Sequence, residues 1–234
     1  MSIFSPNLIA LLGEIYGSTT IAAARYNLIG MVRVKIDDLL PEGEGIEYAL
    51  PSGASLKDTL DIYIDGLLNE SAKHLLQTAP RDVLRPVAAV APIATNTGDG
   101  SGFIEAPADF LRFFALMIGG WQKEVTKTIH PERDKAEYLL QKNIWTRGGK
   151  VKPVVAINQT PTKVILEYYS LDTGDTHSIT YLRYIPFAEA ELVQDNLQDA
   201  LTWLCAGRIR QAVKDEAGAN IAFQNVEMSY ANIY

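Results

Sequence analysis

One segment, Gly102–Val125, constrains the fold of this 234-residue chain more than any other. It contains Ala-Pro-Ala-Asp-Phe and then the apolar run Leu111–Ile118, which is closed by two glycines. Pro107 presets its own φ and Asp109 can bond the nearby backbone, so the pair predicts a turn or a single helical turn. An apolar run of this length between turn residues predicts a buried strand. The segment therefore indicates a β-core and offers no nucleophile-and-base pair.

Helical periodicity dominates the rest of the chain. Ser55 with Asp58 is a capping signal, and apolar residues then recur at helical spacing for roughly seven turns. A second long helix is predicted over about residues 188 to 213, with acids near its start and bases near its end. A first helix is predicted from about Pro6 to Tyr16. Ile21–Ile36 stays ambiguous, because its first half favours a helix and its second half alternates like a strand.

Residues 151–186 are typical of β-structure. Lys163–Leu171 and Thr176–Ile185 are rich in β-branched and aromatic residues, and Asp172-Thr-Gly-Asp between them predicts a hairpin turn. Val83–Ala94 is apolar but broken by two prolines, which favours an edge strand or an extended crossing segment. A short helix is predicted to end near Lys142.

These patterns together predict an α+β fold, with a helical body of long amphipathic helices and a small antiparallel β-element. We expect one domain over residues 1–214, with a β-rich insertion at about 151–186. Residues 215–234 are polar with scattered apolar anchors, and we interpret them as an extended C-terminal arm that is ordered against another chain. The candidate partner contacts in this arm are Phe223, Tyr230, Ile233 and Tyr234.

Composition argues against several functional classes. The net charge is −7 and the isoelectric point is about 5.0, the opposite of the balance that a dedicated nucleic-acid binder shows. No run of 18 apolar residues occurs, so we expect no transmembrane helix. Cys205 is the one cysteine, which rules out an internal disulfide.

The charge is distributed unevenly along the chain. Residues 37–70 contain nine acids and one base, whereas residues 121–152 contain eight bases and four acids. Two interpretations stay open. The segments are either ordinary solvated faces, or an acidic face of one subunit meets a basic face of the next, which would make assembly sensitive to salt.

Asp172-Thr173-Gly174 is the one tripeptide that resembles a catalytic motif, because aspartic proteases use Asp-Thr-Gly to place a proton-sharing carboxylate. The surrounding residues favour a turn instead, since Asp175 would crowd such a dyad with extra charge. A small aspartic protease using Asp172 stays as an alternative. Mutation of Asp172 to Asn separates the two readings.

No other catalytic or metal-binding pattern is predicted, and we expect no cofactor. The three histidines are scattered without the spacing of a zinc site. Cys205 falls on the apolar stripe of the last long helix and is typical of a small core residue. Trp121, Trp145 and Trp203 are predicted to be packing anchors.

Three segments resemble, in the same order, parts of the neck-ring proteins of crAss-like bacteriophages and related tailed phages. They are Tyr63–Lys73, Ala106–Arg112 followed by Trp121, and Asp199–Ala206. The first is similar to the long helix of that family and the last to its late helix. The middle one resembles a Pro-x-Asp-Phe-x-Arg segment that leads to a strand. Met31–Ile36 fits the same family.

The resemblance covers most of residues 30–210 and implies a structural virion protein rather than an enzyme. It implies a homo-oligomeric ring that connects the portal to the tail, with the portal's twelvefold symmetry and with genomic DNA passing through the lumen without being read. The implied partners are other copies of the chain, the portal and adjacent tail or ring proteins. The implied location is the neck of a virion assembled in the host cytoplasm. A generic interaction module of a cellular complex is the remaining alternative.

Overall fold

The computed structural model describes residues 19–38 and 56–233. The chain divides into two compact units. Residues 84–187 form the first, called the β unit here, and the residues on either side of it, 1–83 and 188–234, form the helical unit. The predicted β-rich insertion is therefore wider than residues 151–186, because strands already begin at Val87. The predicted helix over residues 6–16, the capping residue Ser55 and Tyr234 lie outside the described residues.

The elements confirm an α+β fold with antiparallel sheets. In chain order the helices are α1 (Thr19–Asp38), α2 (Leu56–Thr78), α3 (Lys135–Lys142), α4 (Gln198–Ala212) and α5 (Glu216–Ala231), with 3₁₀ turns at Ala190–Leu192 and Asp195–Leu197. The strands are β1 (Val87–Ala88), β2 (Ala94–Asn96), β3 (Gly102–Glu105), β4 (Phe110–Ile118), β5 (Val155–Gln159), β6 (Val164–Tyr168) and β7 (Ile179–Pro186).

Helix α1 resolves the ambiguous segment in favour of a helix. Val32 and Ile36 are fully buried, whereas Val34 between them is 59% exposed. A strand would place all three on one face, because side chains alternate with a period of two. Burial at a spacing of four is the helical pattern, so the alternation seen in the sequence reflected only one turn of an amphipathic helix.

A buried arginine ties the helical unit together. Arg25 on α1 is 1% exposed, and its guanidinium donates to the Asp65 carboxylate at 2.6 Å, to the Asn69 side chain at 2.7 Å and to the Glu191 carboxylate at 2.9 Å. These partners come from α2 and from the first 3₁₀ turn. A buried guanidinium is tolerated only when its charge and donors are satisfied, so these contacts fix how α1, α2 and the segment before α4 pack.

Helix α5 packs along α4 of its own chain, which contradicts the extended arm predicted for residues 215–234. Asp215 caps the helix by accepting from the Gly218 backbone N–H at 2.9 Å. A side chain at Gly207 of α4 would collide with the ring of Phe223, so the two helices approach closely at this glycine. Ser229 Oγ also donates to the Asp199 carboxylate at 2.6 Å. Small residues thus allow close packing of α5 on α4, which the few large apolar residues of this segment did not predict.

The β unit contains two antiparallel sheets. One has the order β1-β7-β4 and the other β2-β3-β6-β5. Strand β4 confirms the buried strand predicted over Leu111–Ile118, and β1 is the edge strand expected near Val87. Their shared core is apolar and aromatic, and its buried members are Ile104, Phe113, Leu116, Ile118, Trp121, Val125, Val155, Leu166, Tyr168, Leu171 and Leu182.

The hairpin predicted between β6 and β7 does not form. A turn is present, since the Asp175 N–H donates to the Asp172 carbonyl at 3.1 Å and Gly174 has a φ of 93°. However, β6 pairs with β3 and β5, while β7 pairs with β1 and β4. The turn therefore leads the chain from one sheet to the other. Local turn chemistry was predicted correctly, but strand pairing depends on partners far away in sequence.

Candidate functional site

The residues predicted as partner contacts are mostly used inside the chain. Tyr230 is 7% exposed, and burial raises the pKa of its hydroxyl to about 12. Phe223 is half-buried against Gly207, and Ile233 is half-buried. Tyr234 lies outside the described residues. Tyr230 therefore packs within its own chain, whereas contact of Phe223, Ile233 and Tyr234 with a partner stays a prediction.

The outward face of α5 presents a different set of side chains. Ala217, Ile221, Met228 and Ala231 are exposed and recur at helical spacing, and they are called the α5 stripe below. Ile221 and Met228 are 51% and 56% exposed. The helix contains two glutamates and no basic residue. Periodicity could have found this stripe, but only once residues 215–234 were treated as a helix.

Helix α3 and the turn after it form a second exposed apolar surface. Leu139, Leu140, Ile144 and Trp145, called the α3 patch below, are 55%, 50%, 52% and 90% exposed. Trp145 was predicted to be a packing anchor, and this prediction is wrong. The only residue of α3 that is fully buried is the polar Gln141, at 6% exposed, whose side-chain oxygen accepts from the Gly148 N–H at 3.0 Å.

A carboxylate holds α3 against the sheet. Glu167 of β6 accepts from the hydroxyl of Tyr138 at 2.8 Å, from Tyr169 at 2.5 Å, from the Lys142 ammonium at 3.0 Å and from the Asn158 amide at 3.2 Å. Burial alone raises the pKa of Glu167, but these four donors outweigh it and hold the pKa at about 2. Because its carboxylate already accepts hydrogen bonds from four donors, we assign Glu167 the role of anchoring α3 rather than a catalytic one.

The β unit also contains a wide open groove of about 550 Å³. One wall is the loop that joins the two sheets, where Val90 and Ile93 are 95% and 80% exposed. Glu105 and Tyr184 also line the groove. The lining is mostly apolar and brings together no pair of groups that could act as a nucleophile and its base. The groove resembles a contact surface more than an active site.

Asp172 lies in an environment unlike that of a catalytic aspartate. Its side chain is 78% exposed, and its carboxylate pairs with the Lys150 ammonium at 2.7 Å, as does that of Asp175. A proton-sharing dyad needs two carboxylates close together and shielded from compensating charge. Here one lysine ammonium pairs with both carboxylates and lowers the pKa of Asp175, which suits a turn.

The remaining reactive side chains are also accounted for by packing. Cys205 is fully buried, and burial raises the pKa of its thiol to about 12, far from the range of a reactive thiolate. His177 Nδ1 lies 2.6 Å from the Tyr168 hydroxyl at the edge of the core. Within residues 19–38 and 56–233, no group of three or more metal-ligating side chains occurs.

The two units carry opposite net charge. The helical unit has eighteen acidic and nine basic residues, a net charge of −9, whereas the β unit has ten acidic and twelve basic residues, a net charge of +2. Part of the acidic segment at residues 37–70 is used internally, because Asp61 pairs with Arg33 and Asp65 with Arg25. The charge difference survives this pairing, since Arg25 and Arg33 are counted in the same unit.

Comparison of the chain with protein-family models and with curated proteins finds no match. Among the described helices, none is both long and apolar enough to cross a membrane. The exposed apolar surfaces described above, the α3 patch and the α5 stripe, are the candidate functional sites of this α+β protein.

Proposed function

We propose that the protein is a structural virion protein that forms a homo-oligomeric ring between the portal and the tail of a bacteriophage. The observation that carries this proposal is the ordered resemblance of three segments, Tyr63–Lys73, Ala106–Arg112 and Asp199–Ala206, to neck-ring proteins of tailed phages. Twelve copies would match the portal symmetry that the resemblance implies.

The positions of these segments support a structural role. Asp65 and Asn69 of the first segment bind the buried Arg25. Asp109 of the second accepts from the Tyr184 hydroxyl at 2.9 Å, and Asp199 of the third accepts from Lys35 at 2.7 Å. The residues that carry the resemblance thus hold the fold together, as expected when a family is defined by architecture rather than by an active site.

The overall charge also suits a conduit for DNA. Binding to duplex DNA depends on many Lys and Arg contacts with phosphates. In a chain with a net charge of −7, acidic residues outnumber Lys and Arg, so we expect weak binding to the phosphates and free passage of the genome. The opposite charge of the two units favours contact between unlike surfaces of neighbouring copies, which is the kind of contact that closes rings.

The proposal is tested by mixing the purified full-length chain with the portal protein encoded in the same genome. Mass photometry should show a complex with multiple copies of the chain per portal, and electron microscopy should show a closed ring on one face of the portal. A chain that remains a monomer or dimer at saturating portal concentration would contradict the connector function and favour a cellular interaction module.

The protease alternative has its own experiment. Asp172→Asn keeps the size of the turn residue and removes the charge that pairs with Lys150. We expect unchanged processing of the chain and of capsid proteins, because Asp172 is exposed and ion-paired. Loss of a specific cleavage in this variant would restore the protease hypothesis.

A further inference from the structure

Helix α3 leaves apolar side chains exposed to solvent, although its Tyr138 packs against the core of the β unit. It buries Gln141 and turns Leu139 and Leu140 toward solvent, and the following turn adds Ile144 and Trp145. Scattered exposed apolar residues are normal, but four of them within seven positions are a cluster of the kind that marks an interaction site. Trp145 is 90% exposed. Tryptophan is among the residue types most enriched at interface hot spots.

The surroundings of the patch define the chemistry of what can cover it. From Lys135 to Lys152 the chain has five basic residues and one acidic residue, a net charge of +4. Lys142, Arg147 and Lys150 are each paired with a carboxylate outside this segment, so the exposed Lys135 and Lys152 supply the basic charge of the rim. An apolar centre with a basic rim fits a surface that is apolar in its centre and acidic at its rim.

The α5 stripe has that complementary composition. It presents Ile221 and Met228 in the middle of a helical face, and the exposed Glu216 and Glu227 lie beside it. Residues 215–231 contain three acids and no base, but Asp215 pairs with Arg210 of α4, so Glu216 and Glu227 supply the acidic charge of the rim. Both surfaces are exposed, and the rim charges beside them are opposite in sign.

We propose that the α3 patch of one copy docks on the α5 stripe of the next copy, so that the chain associates head to tail. Trp145 is the central anchor, and Lys135 and Glu227 are rim charges of opposite sign. Two α3 patches would not pair with each other, because that arrangement would bring two basic rims together, and two α5 stripes would bring together two acidic ones. A contact between unlike surfaces can repeat, and it produces a ring when the rotation closes.

The inference deepens the proposed function by naming the subunit contact of the ring. Only the closure of the assembly into a ring rests on the proposed function. The contact between two copies depends on the exposure and charge of the two surfaces. The two statements can therefore fail separately.

Directed crosslinking tests the contact. Ala136→Cys lies on the exposed surface of α3, and Gln224→Cys lies between Ile221 and Met228 on α5. Thr173→Cys, in an exposed turn of the β unit, is the control. The native Cys205 is fully buried and does not compete. The full-length variants are purified separately, mixed in pairs at high concentration and treated with a short bismaleimide.

We expect the Ala136→Cys and Gln224→Cys pair to crosslink at least about tenfold more than either variant alone or either variant with Thr173→Cys. Trp145→Ala in the Ala136→Cys background should reduce the yield by about tenfold, the loss typical of a hot-spot side chain. A yield that does not differ from that of the control pair overturns the proposal, as does a dominant crosslink between two α3 positions.

A charge exchange supplies independent evidence. Lys135→Glu and Glu227→Lys should each lower the crosslinking yield by about two- to fivefold, as expected for exposed ion pairs. A mixture carrying both changes on opposite copies should recover the wild-type yield. Failure to recover would exclude the proposed pairing of the rims and overturn this orientation.

Electron microscopy of the same samples with the portal separates the two proposals. Rings without the α3-to-α5 crosslink would leave the connector function standing and place the subunit contact elsewhere. The crosslink in open chains without rings would leave the contact standing and contradict the connector function.

Discussion

The helical unit and the β unit are stabilised by different means, although they belong to one chain. The helical unit buries the charged Arg25 among two carboxylates, whereas the β unit buries an aromatic and aliphatic core and keeps its main carboxylate, Glu167, on the face of a sheet beside Tyr138 of α3. Buried ion pairs specify which elements meet, because an unmatched charge is expensive. An apolar core stabilises more strongly per residue but specifies less. Each unit should therefore respond to a different kind of mutation.

The largest effect is expected for Arg25→Ala in the helical unit. The substitution leaves the carboxylates of Asp65 and Glu191 without their shared partner, and Glu191 is only 1% exposed. Breaking a buried pair in this way costs about 3–5 kcal/mol of unfolding free energy. Chemical denaturation followed by circular dichroism measures the loss. Lys163→Ala, which removes a half-exposed pair with Glu105 in the β unit, should cost less than about 1 kcal/mol.

Trp121→Ala should be the most damaging substitution in the β unit. Its ring is 4% exposed and packs edge-on against Tyr168, with ring centroids 6.3 Å apart. Truncation of a buried tryptophan costs about 3–5 kcal/mol. We expect the lower end, because its indole N–H has no hydrogen-bond partner among the described residues.

Trp145→Ala is the matched control for this pair of tryptophans. It should change the unfolding free energy by no more than about 0.5 kcal/mol, because the side chain is 90% exposed. A melting temperature lowered as much by Trp145→Ala as by Trp121→Ala would show that the α3 patch is part of the core.

The stability of the β unit should depend on pH through Glu167. Its folded-state pKa of about 2 lies below the ordinary value of 4.5, so its contribution is complete above pH 4.5 and is lost as the pH falls toward 2. The shift corresponds to at most about 3 kcal/mol, and we expect about 2 kcal/mol because the side chain is partly screened by solvent. Denaturation curves between pH 2 and 6 test this.

The matched variant is Glu167→Gln, which keeps the shape and removes the titrating group. It should be less stable at neutral pH and should lose most of the acid dependence. An unchanged slope of stability against pH in this variant would assign the dependence to other carboxylates.

A smaller loss than for Arg25→Ala, Trp121→Ala or the protonation of Glu167 is expected at the contact between α4 and α5. Gly207→Ala places a methyl group against the Phe223 ring, and we expect a net loss of about 1 kcal/mol, because overpacking exceeds the gain in helix propensity. Phe223→Leu should relieve part of that loss in the double variant. Additive effects of the two substitutions would mean that α5 does not pack on α4 in solution, and would favour the free arm predicted from the sequence.

Local patterns in the sequence predicted the elements whose burial is set by their own residues. Strand β4 and helix α2 were predicted because each has an uninterrupted apolar pattern of one period. The prediction failed for α5, where alanine and glycine make the contact with α4 and leave little hydrophobic periodicity to detect. It also failed for Trp145, because a sequence does not show whether a large apolar side chain faces the core or the solvent.

The sequence by itself determined the class of fold, the absence of an internal disulfide, the charge difference along the chain and the ordered resemblance to neck-ring proteins. These depend on composition and on short-range order. Only the tertiary structure decided that β6 and β7 belong to different sheets, that Arg25 finds its partners 40 and 166 residues away, and that the α3 patch faces solvent. The physical reason is that pairing between distant segments is set by the combined burial of all elements, which no local window of residues contains.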